Sequence, residues 1–470
     1  MKKTPAKPMD FNFAKIRERY FISNIFSFNC SLSSVDFRSF VNGESVGEKA
    51  KQCLKKGMFF SDYLDMDRAA KCLRRNFFMD WKGPHVHIIS VTKRCNSFCS
   101  YCGASAGPFR PLESDMTLET ARKTLDFIFS VPNKKIMIEF QGGEPLLNFR
   151  AVKYIVEKAK KRGEKEGKEL SFSIVSNLSV MDGKILKFLL ANRVVVCSSL
   201  DGPKFIHDLN RKLLKGSSYE AAVRWLGRIN ALAIKKKFEK PNAICTISRF
   251  SLNYPKEIVD EYLRLGLVRI QVGPLDKTGR AKTHWNKVGY LPEEFLSFYE
   301  RALDYIISLN KKGIGVYEKG AFLFLSHMLN YQRPRYHNLD LLMRLAYNWD
   351  GGIYGSDEAR MIANSGEETL KLGSVERDSF KDILNRPLSK LLLLSNFNFL
   401  NQVRCSRCAW NPYCHAMPAL NLSSQNSFWG NMIVNDRCKI YRGIFKLLCR
   451  KLDSRETMWI FKKWLSLHES

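Results

Sequence analysis

Between residues 86 and 274, hydrophobic residues follow a strand-like pattern and then a helix-like pattern, and this alternation repeats along the chain. The strand-like runs are short and rich in β-branched residues. Amphipathic stretches with helical spacing separate them, for instance 117–130, 151–161 and 218–234. Such alternation is typical of parallel βα units. We therefore predict an α/β fold built on a partial, open (β/α)6 barrel, with strands at 85–90, 135–140, 171–175, 194–198, 243–247 and 269–272.

The segments on either side of this region have different patterns. Near the N-terminus, a hairpin-like stretch precedes two helix starts, one at Ser33 and one where Ser45 and Glu48 have capping-box spacing. This outline resembles the winged-helix elements that bind leader peptides, and a structural support for the barrel is the alternative. We divide the chain into a peptide-recognition-like unit (1–80), the barrel (81–290), a helical connector (291–344), a loop-rich domain (345–440) and a basic, aromatic C-terminal helix (441–470). We expect that last helix to pack on the barrel rather than to lie on a membrane.

Composition narrows the functional classes. The chain has 470 residues, with 76 Lys plus Arg against 46 Asp plus Glu and a formal net charge of +30. Such an excess attracts polyanions, so nucleic acid, an acidic peptide and an anionic membrane surface are candidate partners. The sequence lacks the spacings of helix-turn-helix, RNA-binding and finger domains, which counts against nucleic acid. No apolar run is long enough to span a membrane, and no signal peptide is recognisable. We therefore predict a cytoplasmic protein whose clustered cysteines hold metal rather than form disulfides.

Three closely spaced cysteines carry the clearest chemical signal. Cys95, Cys99 and Cys102 form a C-x3-C-x2-C pattern after the first predicted strand. A 4Fe–4S cluster needs a ligand for each iron, so three thiolates leave one iron open. The stretch 91–103, with the aromatic Tyr101 before the third cysteine, resembles the signature of the radical S-adenosylmethionine (SAM) superfamily. That resemblance implies a cluster whose open iron binds SAM. A zinc knuckle or a chance grouping is the alternative.

Two further segments correspond to the SAM site of that superfamily. A glycine pair after the second predicted strand permits close approach of the backbone to a ligand, and Glu144 can hold an ammonium group. The resemblance implies that this GGEP motif binds the amino group of SAM. After the next two predicted strands, the Ser and Asn side chains can hydrogen-bond the ribose hydroxyls, and Arg211 can bind a carboxylate through two hydrogen bonds. Each of these residues could equally be an ordinary turn or cap residue. The predicted cofactor-binding residues are Tyr101, Gln141, Gly142, Gly143, Glu144, Pro145, Ser176, Asn177, Ser199, Asp201 and Arg211.

A second cysteine group lies near the C-terminus. Cys405, Cys408 and Cys414 have C-x2-C-x5-C spacing, and Cys438 follows. Four thiolates can complete a closed 4Fe–4S site, and zinc is the alternative because thiolate tetrads bind it well. The group resembles the outer-cluster ligands of the SPASM domain, a module of peptide and sulfatase maturases, which implies an auxiliary 4Fe–4S cluster. The other cysteines, most of which we interpret as buried small hydrophobic residues, are Cys30, Cys53, Cys72, Cys197, Cys245 and Cys449.

The chain departs from the SPASM pattern at the inner cluster. No cysteine lies between Cys245 and Cys405, and Ser356 occupies a position where the family has a cysteine. We interpret this as loss of the whole inner cluster. The next residue, Asp357, corresponds to an acid that sulfatase maturases use to accept a substrate proton. A salt-linked turn with its charged neighbours is the alternative role.

The resemblance is closest to the His-Xaa-Ser system type of radical SAM/SPASM maturase, whose relatives form cyclophanes and darobactin-like antibiotics. It implies reductive cleavage of SAM to a 5′-deoxyadenosyl radical and carbon–carbon or ether crosslinks, involving aromatic residues, in a ribosomally made precursor peptide. Flavodoxin or ferredoxin is the implied electron donor. A formylglycine-generating sulfatase maturase is the nearer alternative, and a basic protein that binds or modifies nucleic acid is the remoter one. The matching segments are 142–149, 199–203, 347–351, 356–360 and 411–414.

Overall fold

The computed structural model describes residues 7–107, 111–236, 238–329, 339–397, 400, 402–414 and 417–466. Their strands form a three-stranded N-terminal sheet, a nine-stranded main sheet and two short two-stranded sheets. The strands are β1 (Asn12–Ile16), β2 (Arg19–Ser23), β3 (Asn29–Ser33), β4 (Val86–Ser90), β5 (Ser97–Cys99), β6 (Lys135–Gln141), β7 (Glu169–Ser176), β8 (Val194–Ser199), β9 (Arg211–Leu213), β10 (Asn242–Thr246), β11 (Arg269–Ile270), β12 (Val272–Gly273), β13 (Tyr317–Glu318), β14 (Arg344–Tyr347), β15 (Gly352–Tyr354) and β16 (Lys371–Ser374).

Helices connect and cover these strands. The α-helices are Ser34–Val41, Glu48–Lys56, Met66–Asn76, Leu118–Ser130, Phe149–Glu166, Gly183–Ala191, Lys204–Asn210, Ser218–Lys236, Pro255–Arg264, Gly279–Thr283, Trp285–Val288, Pro292–Lys311, Lys319–Leu329, Asp357–Ala363, Phe380–Asn385, Pro387–Asn396, Val403–Ser406, Pro418–Gln425, Asp436–Leu452 and Arg455–Ser466. Short 3-10 helices are Ser61–Tyr63, Leu112–Ser114, Pro145–Asn148, Arg249–Ser251, Glu368–Leu370 and Asn411–Tyr413.

The N-terminal unit is a three-stranded antiparallel sheet with three helices. β1 and β2 form a hairpin, and β3 pairs with the other side of β2. The first helix begins where predicted, because the Ser33 side chain accepts a hydrogen bond from the Asp36 backbone nitrogen at 3.0 Å. The second helix begins at Glu48 with Gly47 as its N-cap, and no side chain caps it. The capping box predicted at Ser45 was therefore wrong.

A disulfide joins this small sheet to the second helix. Cys30 on β3 and Cys53 on the helix are bonded across a sequence separation of 23 residues. These two are therefore exceptions to the interpretation of most of the remaining cysteines as buried small hydrophobic residues. The pairing follows from how the strand packs on the helix, and no local spacing of cysteines reveals it.

The main sheet confirms the predicted partial barrel. Its strand order is β12-β10-β8-β7-β6-β4-β14-β15-β16, and neighbouring strands are parallel from β12 to β14. The first five predicted strands correspond to β4, β6, β7, β8 and β10. The sixth is divided, because β12 pairs with β10 whereas β11 pairs with β13. Strands β14, β15 and β16 extend the sheet beyond β4, although they lie in the segment predicted as a loop-rich domain.

Alternate residues of the barrel strands face the helices and the barrel interior. In β6, Ile136, Ile138 and Phe140 are buried in the main core, whereas Glu139 and Gln141 are half-buried. The strand period of two puts that polar pair on the opposite face, toward the interior. Because the carboxyl ends of parallel strands meet at one rim, the loops after the barrel strands are neighbours.

The C-terminal helices pack on the rest of the chain. Both Asp436–Leu452 and Arg455–Ser466 contact the long helix Pro292–Lys311. In the last helix, Phe461 and Trp464 are buried and Trp459 is exposed. The predicted C-terminal helix is divided in two, and its described part packs on the connector helix Pro292–Lys311. None of the described helices is long and apolar enough to cross a membrane.

Candidate active site

The first cysteine loop lies at the carboxyl end of β4. Cys95 is buried, and Cys99 and Cys102 are partly buried. The Cys95 backbone nitrogen donates to the Gly107 carbonyl at 3.1 Å, which closes the loop. Burial raises the pKa of the Cys95 thiol, and the nearby thiols of Cys99 and Cys102 raise it further. The structure thus brings the three predicted ligands together in one loop.

The glycine pair after β6 runs beside the residues that lead into this loop. The Gly143 backbone nitrogen donates to the Thr92 carbonyl at 2.8 Å, and that of Glu144 donates to the Arg94 carbonyl at 2.8 Å. A Cβ atom at Gly143 would overlap the Arg94 carbonyl, and one at Gly142 would overlap the Thr92 carbonyl. Only glycine permits this approach. The pair therefore fixes the backbone immediately before Cys95.

Glu144 joins the ends of β6 and β7. Its Oε1 accepts hydrogen bonds from Ser176 Oγ at 2.7 Å and from the Leu146 backbone nitrogen at 3.1 Å, and its Oε2 accepts one from the Asn177 backbone nitrogen at 2.7 Å. The residue is buried. Burial raises the pKa of this carboxyl to about 7, although the hydrogen bonds oppose the shift. Its contact with the amino group of SAM stays a prediction.

Asn177 connects the end of β7 to the cysteine loop. Its Nδ2 donates to Asn96 Oδ1 at 3.0 Å and to Ser97 Oγ at 3.1 Å, and lies 3.8 Å from Cys95 Sγ. Ser176 and Asn177 were both predicted as SAM-binding residues. The structure places both at the cysteine loop, and their contact with the ribose stays a prediction.

The other predicted residues of this rim lie at neighbouring strand ends. Gln141 ends β6, and its Nε2 donates to Glu139 Oε1 at 2.6 Å. Ser199 ends β8 and is half-buried. Pro145 is buried at the start of the turn Pro145–Asn148. All three stand within the same rim as the cysteine loop.

A buried network beyond β8 contains the last three predicted residues. Arg211 Nε donates to Asp201 Oδ2 at 3.1 Å, and its Nη2 donates to Asp201 Oδ1 at 3.3 Å. The Tyr101 hydroxyl donates to the same carboxylate, and the Arg211 guanidinium lies 5.2 Å from the Tyr101 ring centroid. Asp201 is fully buried and also accepts from the Thr246 backbone nitrogen at 3.2 Å. Asp201 therefore positions Arg211 and Tyr101, and the binding of a SAM carboxylate by Arg211 stays a prediction.

Sequence reasoning missed Arg280, which holds the cysteine loop from the other end of the barrel. Its Nε donates to the Cys99 carbonyl at 2.9 Å, and its Nη2 donates to the Ala106 carbonyl at 2.6 Å. Its backbone nitrogen donates to the Cys102 carbonyl at 3.0 Å, and its guanidinium lies 4.1 Å from the Phe98 ring centroid. The sequence offered one indication of its role, because Arg280 follows the last predicted barrel strand and so lies at the rim that holds the other site residues.

Asp357 is paired with Arg360. Arg360 Nη2 lies 2.6 Å from Asp357 Oδ1, and Arg360 Nε donates to the same oxygen at 2.8 Å. Asp357 therefore forms the salt-linked turn that we gave as its alternative role. Ser356, in place of the expected cysteine, caps the helix by accepting from the Ala359 backbone nitrogen at 3.3 Å. Burial raises the pKa of Glu139, and the Asp357 charge raises it further. Its role as a proton acceptor stays a prediction.

The second cysteine group lines a small cavity that is partly open to solvent. At its edge, Asn435 Oδ1 accepts from the backbone nitrogen of Cys438 at 2.9 Å. Next to that cysteine, Arg437 Nε donates to Asp276 Oδ1 at 3.0 Å, which ties the cavity to the segment that carries Arg280. The cysteines that line the cavity are Cys405, Cys408, Cys414 and Cys438.

Both cysteine groups offer ligand sets that iron–sulfur clusters use. Across the described residues, no group of three or more His, Cys, Asp or Glu side chains is placed to hold one metal ion. Each thiolate of a 4Fe–4S cluster binds a different iron, so the four cysteines that line the cavity could hold one cluster and the three beside the glycine pair another. Zinc stays the alternative at the second group, because four thiolates bind it well.

The N-terminal sheet packs directly on the loop that carries the second cysteine group. The Phe21 ring of β2 stacks on the Trp410 ring, with centroids 4.6 Å apart. Ser23 Oγ donates to the Ala409 carbonyl at 2.7 Å. The small N-terminal unit therefore borders the cavity wall rather than lying apart from the site.

Residues 89–240 match the model of the Radical SAM superfamily. This range contains the first cysteine loop, the glycine pair and the network around Asp201. This part of the chain is therefore similar to radical SAM domains, and the expected site residues of the barrel lie at one rim of its fold.

Two curated relatives match different shares of this chain. An uncharacterized protein of Methanocaldococcus jannaschii is 29% identical over 184 residues, which span 39% of this chain and 60% of that protein. The cysteine-type anaerobic sulfatase-maturating enzyme of Clostridium perfringens is 22% identical over 373 residues, which span 76% of this chain and 94% of the enzyme.

Solved structures of radical SAM maturases share the fold. Native anSMEcpe with bound AdoMet has a TM-score of 0.64 at 19% identity, and the match covers 79% of this chain and 98% of that one. Streptococcus suis SuiB bound to precursor peptide SuiA has a TM-score of 0.55 at 14% identity, and the match covers 90% of this chain and 98% of SuiB. At such identities the likeness establishes the mixed α/β, partial-barrel fold.

Proposed function

We propose that the chain is a maturase that installs carbon–carbon or ether crosslinks, involving aromatic residues, in a ribosomally made precursor peptide. The observation that carries the proposal is the share of this chain that each solved structure matches. SuiB bound to its precursor peptide covers 90% of this chain, whereas anSMEcpe covers 79%. The N-terminal unit, whose outline resembles the elements that bind leader peptides, packs on the second cysteine loop through Phe21 and Trp410 and supports the same proposal.

The first cysteine loop supplies the radical chemistry in this proposal. Cys95, Cys99 and Cys102 would hold a 4Fe–4S cluster, which supplies the electron that divides bound SAM into methionine and a 5′-deoxyadenosyl radical. The glycine pair and Glu144 keep the loop and the ends of β6 and β7 in a fixed arrangement. Arg211, positioned by Asp201, binds the carboxylate of SAM.

The barrel interior receives the peptide side chain. Forming a crosslink removes two hydrogens from the peptide. One leaves with the deoxyadenosyl group, and the other leaves as a proton and an electron. Asp357 would accept the proton. Cys405, Cys408, Cys414 and Cys438 would hold an auxiliary 4Fe–4S cluster, which supplies an acceptor for the electron.

The protein partners follow from these roles. The N-terminal unit, which packs on the second cysteine loop through Phe21 and Trp410, binds the leader of the peptide. A small electron carrier such as flavodoxin or ferredoxin reduces the first cluster.

The test is tandem mass spectrometry of a short peptide encoded beside this gene, co-expressed with the enzyme under anaerobic conditions. The proposal expects loss of two hydrogens per crosslink and blocked fragmentation between the joined residues. Cys95→Ala should abolish the change, whereas Cys72→Ala, which alters a buried cysteine outside both groups, should not. A peptide left unmodified by the wild-type enzyme would overturn the proposal for that partner.

Sulfatase maturation is the second candidate function. It is favoured by the match to the Clostridium perfringens enzyme, which spans 94% of that protein, and by the correspondence of Asp357 to an acid of sulfatase maturases. In this function Asp357 would accept the proton when a cysteine or serine of a sulfatase becomes formylglycine. Labelling of a sulfatase-derived peptide by a hydrazide after incubation with the enzyme would detect the aldehyde.

A further inference from the structure

Two loops beside the second cysteine group expose apolar side chains. Val403 is 82% exposed, and Ile433 and Val434 are 60% and 56% exposed. The two loops adjoin, because Gln402 Nε2 donates to the Trp429 carbonyl at 2.6 Å. The Trp429 side chain is also exposed. Neighbouring exposed apolar side chains with a polar border mark interaction sites. We call Val403, Trp429, Ile433 and Val434 the apolar patch.

The apolar patch borders the second cysteine group. Met432, in the second loop, lines the same cavity as the four cysteines, and Cys405 lies two positions after Val403. Asn421 also lines that cavity, and its Nδ2 holds the second loop by donating to the Trp429 carbonyl at 3.1 Å. A protein that docks on the apolar patch would therefore lie beside the metal group that these cysteines hold.

The segment that carries the second cysteine group is cationic. Within residues 401–450, only Asp436 is acidic, whereas seven residues are lysine or arginine. Asp436 lies 3.1 Å from Lys277 Nζ and 3.8 Å from Lys439 Nζ, so its charge is already balanced. The basic residues of the segment are Arg404, Arg407, Arg437, Lys439, Arg442, Lys446 and Arg450. Positive charge is therefore left over for a partner.

Two of these cations adjoin the cysteines. Arg442 lines the cavity, and Arg404 is exposed next to the apolar patch. Burial raises the pKa of the Cys408 and Cys438 thiols, and the positive charges of these two arginines oppose that rise. Neither arginine forms a salt bridge with a described residue, and the same holds for the exposed Arg407. We call Arg404, Arg407 and Arg442 the arginine cluster.

We propose that a small, acidic protein that carries one electron docks on the apolar patch and the arginine cluster. The inference rests on the proposed function, since it names the face through which an electron leaves the enzyme. Formation of a crosslink releases one proton and one electron from the peptide radical. The oxidised carrier takes up that electron and becomes its one-electron reduced form. A small apolar contact with complementary charge around it suits such a short-lived complex.

The charge of this face counts against other occupants. A second copy of the chain, bound about a two-fold axis, would bring each arginine cluster towards its own copy, and like charges at an interface are costly. Nucleic acid would match the charge, because its affinity comes from phosphate contacts, but it would leave the exposed apolar side chains unused. An acidic stretch of the precursor peptide is the remaining competitor.

Fluorescence anisotropy of dye-labelled, oxidised flavodoxin with the anaerobically reconstituted full chain tests the proposal. Flavodoxin is acidic, and the basic one-electron carrier cytochrome c is the control. Arg404→Glu combined with Arg407→Glu reverses the charge beside the patch. Lys184→Glu combined with Lys187→Glu makes the same change in net charge at exposed positions of a barrel helix. We expect flavodoxin to bind and cytochrome c not to, with about tenfold weaker binding by the arginine variant than by the lysine variant.

Two further measurements test the apolar contact and the electron transfer. Val403→Asp places a charge in the apolar patch and should weaken flavodoxin binding without affecting the fold, because the side chain is exposed. In stopped-flow mixing of the reduced enzyme with limiting oxidised flavodoxin, the arginine variant should form the flavin semiquinone about tenfold more slowly than the lysine variant. Iron per chain is measured in every variant, so that loss of a cluster is recognised.

Several results would overturn the proposal. These are equal affinities or equal rates for the two double variants, binding of cytochrome c as tight as that of flavodoxin, and displacement of flavodoxin by the precursor peptide. If the arginine variant fails to fold or to hold iron, amide hydrogen exchange in the wild-type chain decides. Slower exchange at residues 402–407 and 429–435 on adding flavodoxin supports the proposal, and unchanged exchange there overturns it.

The proposed function fails in a different way. Flavodoxin that binds with the expected dependence on the arginine cluster, to an enzyme that never crosslinks the precursor peptide, would contradict the function and leave the docking face intact. A peptide crosslinked at equal rates by the two double variants, with flavodoxin limiting, would contradict the docking face and leave the function intact.

Discussion

Arg280 donates a hydrogen bond from Nε to the backbone carbonyl oxygen of Cys99, at 2.9 Å. Cys99 lies after the first strand of the barrel, and Arg280 lies after the last. The contact therefore joins the two ends of the partial barrel across the candidate active site. It makes the conformation of the cysteine loop depend on closure of the barrel, and not only on the loop's own sequence.

Replacement of Arg280 by alanine should loosen the first cysteine loop. It removes two charge-assisted hydrogen bonds and leaves the Cys99 and Ala106 carbonyls without that donor, a cost of about 2 kcal/mol in unfolding free energy. We expect Arg280→Ala to retain less iron than wild type after anaerobic reconstitution and gel filtration, measured per chain. Arg301→Ala is the matched control, since Arg301 donates to the Leu252 carbonyl at 2.6 Å far from the cysteines. Equal iron loss in both variants would contradict this role.

Gly143→Ala should displace the same loop from its other side. The added Cβ would overlap the Arg94 carbonyl, so either the GGEP turn or the residues before Cys95 must move. We expect at least about 2 kcal/mol of destabilisation in chemical unfolding. Gly227→Ala is the matched control, because a Cβ at this helical position would meet open space. It should leave the unfolding free energy unchanged or raise it by up to about 1 kcal/mol. Similar unfolding midpoints for the two variants would show that the close approach is not required.

The sequence predicted the barrel because its strands carry a clear alternation. Ile136, Ile138 and Phe140 mark the buried face of β6, and the flanking helices have apolar spacing, so periodicity alone located the strand. The division of the last strand into β11 and β12 followed no such signal, since each part holds two residues. Its pairing depends on tertiary neighbours, which a local pattern does not contain.

The candidate site was predictable where chemistry is concentrated in short motifs. The first cysteine loop and the GGEP segment are of this kind. Arg280 was not, because a single arginine acquires its role only when the barrel brings it to the Cys99 carbonyl. The disulfide between Cys30 and Cys53 escaped prediction for the same reason, since a strand and a distant helix had first to be packed together.

Asp340 should make stability depend on pH. Burial raises the pKa of this carboxyl from 3.8 to about 6, although Arg344 opposes the shift. The folded chain therefore holds this proton more tightly than the unfolded chain does. The protonated Asp340 stabilises the folded state fully below about pH 4, and this stabilisation is lost as pH rises toward 6. A shift of this size corresponds to about 3 kcal/mol. The unfolding free energy of wild type minus that of Asp340→Asn should fall across this range, and parallel curves would contradict the assignment.

The second cysteine group should hold iron. Two 4Fe–4S clusters would give about eight irons per chain, and loss of the auxiliary one would leave about four. We expect Cys405→Ser combined with Cys414→Ser to produce that loss in an anaerobic metal analysis. Cys449→Ser should retain all the iron, because Cys449 packs beside the group without lining the cavity. About four irons together with zinc in the wild-type chain would instead show that the group is a zinc site.

Transfer of hydrogen from the peptide tests the central claim most directly. The precursor peptide, deuterated at the side-chain Cβ positions, would be incubated anaerobically with enzyme, SAM and reductant, and the 5′-deoxyadenosine analysed by mass spectrometry. We predict that deuterium appears in 5′-deoxyadenosine in proportion to the crosslinked peptide formed, and that Cys95→Ala forms neither product. Release of unlabelled 5′-deoxyadenosine alongside an unchanged peptide would contradict a peptide-modifying function for this protein.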